Sequence, residues 1–396
     1  MNHRYWMTVF ILLVGLAGCT GSQQGGTLDP HVIVAATTAA GDGGGGLNCL
    51  PAGLPAANTP VLLAYSASGV DAAITGAADA RCARVDVQTL AAPATDLAQT
   101  DDGARLYVAI PTQGVVQIRD ANLNVTGTLQ GTAAEPTCPS RLALSPDNLT
   151  LAVLDDPSRC PGFARATLRV LVYRTADQSL RGTLTAGLNF PGGITSGGPA
   201  AIAVSNGSVW LLAPQTATIN LFRFDLNTAD LNTATALPNF GGLPLPGVQS
   251  GVLVTATGLL ATADGRVYAA VNASMQAGQG FVIPVNASRA GFDPALTAEA
   301  AGPANALIVD NRRSQFLILQ PGQTVIRSAK PAVVNAALQA ATVALDGFAY
   351  GVNGSVLTRI DLAFSASADV RSIQLGSDFA TPTAVAWTLP GAAAPR

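Results

Sequence analysis

The stretch from Arg141 to Asp155 reads RLALSPDNLTLAVLD and sets the pattern of the chain. Two apolar runs flank the turn Ser145–Asn148, where Pro suits the second turn position and Asp and Asn tolerate turn geometry. Runs of about six residues are short for helices and typical of β-strands. Because their apolar character is nearly continuous rather than alternating, we expect strands that are buried on both faces.

The same hairpin returns every 36 to 60 residues between Val61 and Leu389. Its first strands begin at Asp96, Arg141, Ala201, Gly258, Asn305, Ala341 and Thr383. The turns after the first six contain Asp102, Asp147, Asn206, Asp264, Asp310 and Asp346. Several of these turns are Asp-Gly or Asn-Gly, which are strong hairpin signals. Three to four strands per unit at this period predict the blades of a β-propeller, which pack face to face.

Residues 100–120 resemble the YVTN-type repeats of bacterial surface propellers, of whose signature Tyr107-Val108 remains. We therefore predict an all-β, seven-bladed propeller over residues 61–390, followed by a disordered tail at 391–396. The strand Thr383–Leu389 should close the ring by pairing with Val61–Ser66, so that no free sheet edge remains. A pair of β-sandwiches or a β-solenoid is the alternative, but a sandwich need not repeat its hairpin seven times.

The N-terminus has the pattern of a targeting segment, with a short apolar core at Val9–Ala17. This core is shorter than the roughly 20 residues that a membrane-spanning helix needs. Leu16-Ala17-Gly18-Cys19 resembles the bacterial lipobox, which implies cleavage after residue 18 and lipidation of Cys19. The alternative is an ordinary signal peptide with a chance Cys. Thr20 follows in place of the Asp that retains enteric lipoproteins at the inner membrane, which favours the outer membrane or cell surface.

Residues 19–60 have the composition of a flexible tether, centred on Gly41–Gly46. The whole chain is 11% charged and carries a net charge of −3, with 41 Gly and 25 Pro. A composition poor in Lys and Glu and rich in turn residues favours strands and tight turns. No basic patch is present that could neutralise phosphates, so we do not expect a nucleic-acid partner.

Histidine chemistry is excluded from the predicted propeller, because His3 lies in the signal segment and His31 in the predicted tether. That removes Ser-His-Asp and Cys-His catalysis and His-ligated metals. Asp101-Asp102 and Asp155-Asp156 could hold Ca²⁺ or act in acid–base catalysis, although their turn positions favour solvated turn residues. We predict no catalytic residue, no metal and no cofactor.

Two further features have a structural interpretation beside a functional one. Arg312-Arg313 could meet an anion, but a solvated turn is the simpler interpretation. Trp210 and Trp387 fall within strand repeats, which favours blade packing over ligand stacking.

Four cysteines remain after Cys19, and an even number in an exported chain suggests disulfides. Cys138 precedes the strand at Arg141, and Cys160 follows the returning strand, so both lie at one end of a hairpin. We predict a Cys138–Cys160 disulfide and a Cys49–Cys82 disulfide that pins the end of the tether to the first blade. Four buried free thiols are the alternative.

These observations favour a cell-envelope lipoprotein whose propeller is a non-catalytic binding or scaffold module for another envelope protein or polymer. The alternative is an enzyme that uses a carboxylate-ligated metal in the central channel, as propeller lactonases do. The two differ in sensitivity to chelators and in whether a lactone or ester is hydrolysed.

Overall fold

The hairpin of the opening stretch forms as predicted, and its turn is closed by side chains as well as by backbone. The Ser145 hydroxyl donates to Asp147 Oδ1 and accepts from the Thr150 amide at 2.9 Å, and Asn148 adopts a positive φ of 59°. Thr100 and Thr262 make the same hydroxyl contact with Asp102 and Asp264. The polar residues of these turns therefore act as clasps for the hairpins.

The computed structural model describes residues 29–39, 54–75, 83–131, 135–160, 168–184, 200–205, 207–215, 218–231, 254–273, 280–286, 291–292, 300–310, 312, 315–328, 331–363, 369–374 and 381–391. The strands of the first half are β1 (His31–Thr37), β2 (Pro60–Ser66), β3 (Arg84–Thr89), β4 (Asp96–Gln99), β5 (Arg105–Ile110), β6 (Val115–Asp120), β7 (Val125–Gln130), β8 (Pro139–Leu144), β9 (Thr150–Asp155), β10 (Arg169–Arg174), β11 (Leu180–Leu184), β12 (Ala201–Ser205), β13 (Ser208–Gln215) and β14 (Thr218–Asp225).

The strands of the second half are β15 (Val254–Ala261), β16 (Val267–Ala273), β17 (Gly280–Asn286), β18 (Gly291–Phe292), β19 (Ala300–Ala301), β20 (Ala306–Asp310), β21 (Gln315–Leu319), β22 (Thr324–Arg327), β23 (Ala332–Val334), β24 (Ala340–Val343), β25 (Phe348–Asn353), β26 (Val356–Asp361), β27 (Val370–Gln374) and β28 (Thr381–Thr388). Helix α1 (Ala67–Thr75) connects β2 to β3, and short 3-10 turns lie at Pro111–Gln113 and Pro157–Arg159.

These strands form seven antiparallel sheets, the blades of a seven-bladed β-propeller. Blade 1 has the order β28-β1-β2-β3, and blades 2 and 3 are β4 to β7 and β8 to β11. Blade 4 is β12 to β14, blade 5 is β15 to β18 with β19 beside β17, and blades 6 and 7 are β20 to β23 and β24 to β27. The innermost strands contact one another in the order β28, β4, β8, β12, β15, β20, β24 and back to β28, so the ring is closed.

The core consists of seven hydrophobic clusters, each lying between two neighbouring blades. Strand β9 shows how one strand feeds two of them. Leu151 and Val153 pack towards blade 2, whereas Ala152 and Leu154 pack towards blade 4. Successive side chains point to opposite faces of a strand, and both faces here are buried, as the continuous apolar runs predicted.

Two predictions about the N-terminal segment are wrong. His31–Thr37 is not part of a tether but forms β1, buried on both faces and paired with β2 on one edge and β28 on the other. The C-terminal strand therefore pairs with β1 and not directly with Val61–Ser66. The ring is still closed by N- and C-terminal strands, here β1 and β28. The sequence of β1, HVIVAAT, has the β-branched apolar residues that suit a central strand.

The ring has two different faces. Each first hairpin turn, such as residues 101–104, 145–149 and 344–347, lies on one side, which we call the turn-side face. The strand β28 ends on this side, where the Leu389 amide donates to the Gly103 carbonyl at 2.9 Å. The other side, which carries Asp96 and the Pro111–Gln113 turn, we call the opposite face.

Candidate functional site

The innermost strands of all seven blades surround a central cavity of about 300 Å³. Its wall consists largely of small and aliphatic side chains, including Ala98, Ala143, Ala203 and Ala341. Polar and charged side chains gather at the two mouths, because they lie at the ends of the innermost strands or in the turns that follow. The cavity volume is at the lower end of that of ordinary small-molecule sites.

The turn-side mouth contains an arginine held by three kinds of contact. Arg312 Nε lies 3.7 Å from Asp310 Oδ1, and its terminal nitrogen donates to the Val343 carbonyl at 3.2 Å. The guanidinium also stands 5.3 Å from the ring centroid of Trp387, a cation–π distance. Asp310 is buried, and its second oxygen accepts from Gln315 Nε2 at 3.0 Å. Both charges are therefore engaged within the domain.

Asp101 is the second carboxylate of this mouth. Its backbone amide donates to Asn148 Oδ1 at 3.3 Å, which joins blade 2 to blade 3. Burial raises the pKa of the Asp101 carboxyl, and the Asn148 side chain and Arg312 oppose that rise. A carboxyl with a raised pKa in a cleft is a recognised feature of acid–base sites, so Asp101 is one of the residues on which a catalytic alternative would depend.

The other mouth is built around Asp96 and Arg141. One carboxylate oxygen of Asp96 accepts from the Leu142 amide at 2.8 Å and the other from the Leu97 amide at 3.0 Å. Burial raises the pKa of Asp96, and the positive charge of Arg141 opposes the rise. Within the channel, Gln99 Nε2 donates to Thr342 Oγ1 at 3.3 Å and so links blades 2 and 7 in front of β28.

The paired aspartates of the sequence have structural roles. Asp102 accepts from the Thr100 hydroxyl at 2.6 Å and the Ala104 amide at 3.0 Å, as part of a turn clasp. Asp156 accepts from the Ser158 amide at 3.0 Å at the start of a 3-10 turn. Asp155 is buried in the ion pair described next. The prediction of turn residues agrees with the contacts of Asp102 and Asp156, but Asp155 and Asp156 are buried and not solvated.

An ion-pair network, with a buried Arg169–Asp155 pair and an exposed Glu135, lies beside the predicted disulfide on the opposite face. Arg169 Nε stands 2.6 Å from Asp155 Oδ2, and its terminal nitrogen stands 2.8 Å from Glu135 Oε2. The other oxygen of Asp155 accepts from the Cys138 amide at 2.7 Å. The Cys138–Cys160 disulfide is present as predicted, with a Cα–Cα distance of 6.0 Å. Cys19, Cys49 and Cys82 lie outside the described residues.

The two tryptophans pack within the ring. Trp210 is buried, donates its indole N–H to Ser205 Oγ at 3.2 Å and lies 5.5 Å from the Arg223 guanidinium. Trp387 is also buried, but it supports Arg312 at the channel mouth. Arg313 lies outside the described residues.

The exclusion of histidine from the folded domain needs correction, because His31 is the first residue of β1. It is half-buried, and burial lowers its pKa, whereas the charges of Asp29 and Asp86 oppose that change. The neighbouring Ser66 hydroxyl donates to Asp29 Oδ2 at 2.7 Å and accepts from the Gly69 amide at 3.0 Å. This is helix capping and not the arrangement of a nucleophile with its base.

Metal-ligating side chains do not gather in the part of the chain that the structure describes. No group of three or more His, Cys, Asp or Glu side chains there could hold a metal ion. The same described residues contain no helix with the length and apolar character needed to cross a membrane.

Sequence reasoning missed the contacts of Arg312 with Asp310 in its own blade and with residues of blades 7 and 1. The available signal was positional. Asp101, Asn148 and Asp310 each lie at the end of the first strand of a repeat or within a few residues of it. In a ring of repeats, equivalent positions meet around the central axis.

No protein-family model and no curated protein matches the sequence. Among solved structures, hydrazine synthase of Kuenenia stuttgartiensis is similar at 13% identity, with 81% of this chain and 92% of that chain covered and a TM-score of 0.50. The β-propeller domain of Myceliophteria thermophila Cps50 (Swd1) gives 13% identity, 72% and 87% coverage and a TM-score of 0.49. Apo AztD from Citrobacter koseri gives 11% identity, 89% and 83% coverage and a TM-score of 0.47. At this identity the likeness concerns the β-propeller fold alone.

Proposed function

We propose that this chain is a lipid-anchored protein of the bacterial cell envelope whose propeller is a non-catalytic binding or scaffold module. Its partner is another envelope protein or polymer, not a nucleic acid. The anchor is a lipid on Cys19, and the location is the outer membrane or cell surface. We also propose that the repeats are of the YVTN type found in bacterial surface propellers.

Two features of different kinds support the location. Leu16–Cys19 matches the lipobox pattern. Independently, the Cys138–Cys160 disulfide is of a kind that persists in oxidising compartments outside the cytoplasm.

The observation that carries the non-catalytic role is that charged side chains at the channel mouths already have partners within the domain. Asp310, Arg312, Asp96 and Arg141 are each engaged by a charge or a hydrogen bond within the domain. A cation would have to displace Gln315 and Arg312 from Asp310 before it gained that carboxylate. A carboxylate-metal hydrolase is therefore less well supported by these contacts than a binding module.

Replacement of Cys19 tests the proposed anchor. The Cys19→Ala variant should leave the membrane fraction, whereas Thr20→Ala, which keeps the cysteine, should stay. Mass spectrometry of the N-terminal peptide should show acyl groups in the wild type and in Thr20→Ala only. Unchanged membrane association of Cys19→Ala, with no acyl mass on the wild-type peptide, would contradict the proposal.

The binding role is tested by cross-linking on intact cells followed by mass spectrometry. We expect one recurrent envelope partner, recovered equally with and without a chelator. A panel of lactones and esters should not be hydrolysed. Hydrolysis that a chelator abolishes, and that replacement of Asp101 by Asn also removes, would establish the enzymatic alternative.

A further inference from the structure

The chain enters the propeller on the turn-side face, at a point fixed by several hydrogen bonds. Asp29 accepts from the Ser66 hydroxyl at 2.7 Å, from the Ser68 amide at 2.8 Å and from the Ser68 hydroxyl at 2.9 Å. The Pro30 carbonyl accepts from the Ala67 amide at 2.9 Å. Asp29 is thereby tied to the first turn of α1, beside the end of β28.

This entry point leaves little chain between the domain and the proposed lipid. Only residues 20–28 separate Cys19 from Asp29. Even a fully extended chain covers at most about 35 Å over ten steps between residues. The segment that carries the proposed lipid therefore joins the domain on the turn-side face. The opposite face could meet the same membrane only if this short segment passed around the domain.

The turn-side face also carries a cluster of exposed apolar side chains. Four large hydrophobic residues of the described chain are strongly exposed, and three of them lie here: Val125 at 53%, Leu149 at 62% and Leu180 at 53%. The fourth, Val333 at 63%, lies on the outer strand of blade 6. Scattered single exposures are normal, but a cluster marks an interaction surface.

These three residues, which we call the apolar patch, surround one turn of blade 3. The Thr175 amide donates to the Leu149 carbonyl at 3.1 Å, and the Ser179 carbonyl before Leu180 closes the same turn by accepting from the Arg174 amide at 2.9 Å. Val125 lies on β7, two residues before Gly127. Gly127 is close to the same turn, because a Cβ there would lie 2.5 Å from Gln178 Oε1.

We propose that the turn-side face lies against the bilayer in the anchored protein, with the apolar patch at the level of the lipid headgroups. This rests on the proposed lipidation of Cys19. Asp147 and Asp177, next to the patch, are exposed charges whose carboxylates are engaged by their own turns. They limit the contact to the headgroup region, since a charge in the hydrocarbon core is costly.

The orientation assigns the two faces different surroundings. The turn-side mouth of the channel, with Asp101 and Arg312, faces the membrane. The opposite face, with Asp96 and the disulfide, faces outward and is the surface available to the envelope partner.

A fluorescence experiment on the lipidated full chain tests this orientation. An environment-sensitive fluorescent amino acid replaces Leu149, and in a matched protein it replaces Thr112, which is exposed on the opposite face. Both proteins are incorporated into phosphatidylcholine vesicles that carry a headgroup-attached quencher. We expect a blue shift and loss of emission at position 149, and neither at position 112.

The possible failures are distinguishable. Equal signals at the two positions, or a signal at 112 alone, with full co-sedimentation of protein and vesicles, would overturn the orientation and leave the anchor intact. Absence of acyl mass and of co-sedimentation would overturn the anchor and the orientation with it.

A second set of variants tests the contribution of the apolar patch to lipid contact while the tether is left unchanged. With the probe at position 125, Leu149→Asp combined with Leu180→Asp should abolish the blue shift, whereas Val333→Asp should leave it unchanged. All of these positions are exposed, so melting temperatures should match the wild type. A blue shift that persists in the double variant would show that the patch makes no lipid contact.

Discussion

At the residue scale, Gly103 is the point at which the end of β28 and the residue after it contact blade 2. It adopts a φ of +67°, and a Cβ there would lie 2.2 Å from Cζ3 of Trp387. Its carbonyl accepts from the Leu389 amide. A side chain at this position is thus disfavoured by backbone conformation and also by the buried indole.

We expect Gly103→Ala to destabilise the domain by about 1–2 kcal/mol from the left-handed backbone and by about 1–3 kcal/mol more from overpacking against Trp387. Gly265→Ala is the matched control, because Gly265 also has a positive φ of +84° but a Cβ there would meet no atom within 4 Å. Denaturant unfolding measures both free energies. Equal losses in the two variants would show that the contact with Trp387 is unimportant.

The Cys138–Cys160 disulfide closes a loop over a sequence separation of 22 residues. On the chain-entropy model, replacement of both cysteines by Ala should lower the free energy of unfolding by about 3 kcal/mol. The Arg169–Asp155 pair holds the same hairpin end, so the fold should persist.

The control for the disulfide is the wild type unfolded with and without a reductant. Reduction should reproduce the loss seen in the double variant, and the double variant should not respond to the reductant. A double variant as stable as the oxidised wild type would contradict the prediction.

At the element scale, β1 holds the innermost strand of blade 1 in place. Among the described strands, β28 pairs with β1 alone, and β1 pairs with β2 on its other edge. Val34 at its centre is fully buried in the core between blades 7 and 1.

We expect Val34→Asp to destabilise the whole domain by at least about 3 kcal/mol, because it buries an unpaired charge and loses apolar contacts. Val333→Asp, on an exposed position of another strand, should change stability by less than about 0.5 kcal/mol.

Removal of residues 381–396, which include β28, should also destabilise the whole domain, with a single cooperative unfolding transition at lower temperature. Unaltered melting after that truncation would argue against closure through β28.

The hairpins could be predicted from sequence because each carries its own signal: apolar runs of strand length on either side of a turn such as Ser145–Asn148. Strand β1 was missed because the glycine run 41–46 separates it from β2, so the average composition of 19–60 hides seven residues of strand character. The contacts at the channel mouth were missed for a different reason, because the positional signal of these residues has meaning only once the ring is known to close. Asp101 and Asp310 lie in blades 2 and 6, and only the closure of the ring brings them together.

At the scale of the whole molecule, His31 makes stability depend on pH. Burial lowers its pKa from the ordinary value of 6.5, so the unfolded chain binds the proton more readily than the folded domain. The contribution of neutral His31 is therefore present above pH 6.5 and is lost as the pH falls towards the folded pKa.

The raised pKa values of Asp96 and Asp101 act in the opposite direction, because protonation of those groups favours the folded state. A comparison of the wild type with His31→Gln separates the two effects, since the aspartates are common to both. The wild type should lose stability relative to His31→Gln between pH 7.5 and pH 5. A difference that does not vary with pH would refute the assignment to His31.

The closure of the ring has a consequence for how the chain is made. Thr383 donates to the Ala35 carbonyl across a sequence separation of 348 residues. Synthesis delivers β1 long before β28, so the inner edge of β1 stays without its native partner while the strands of blades 2 to 7 are made. An apolar strand with an open edge is a template for aggregation. The growing chain therefore requires this edge to be shielded until β28 has been made.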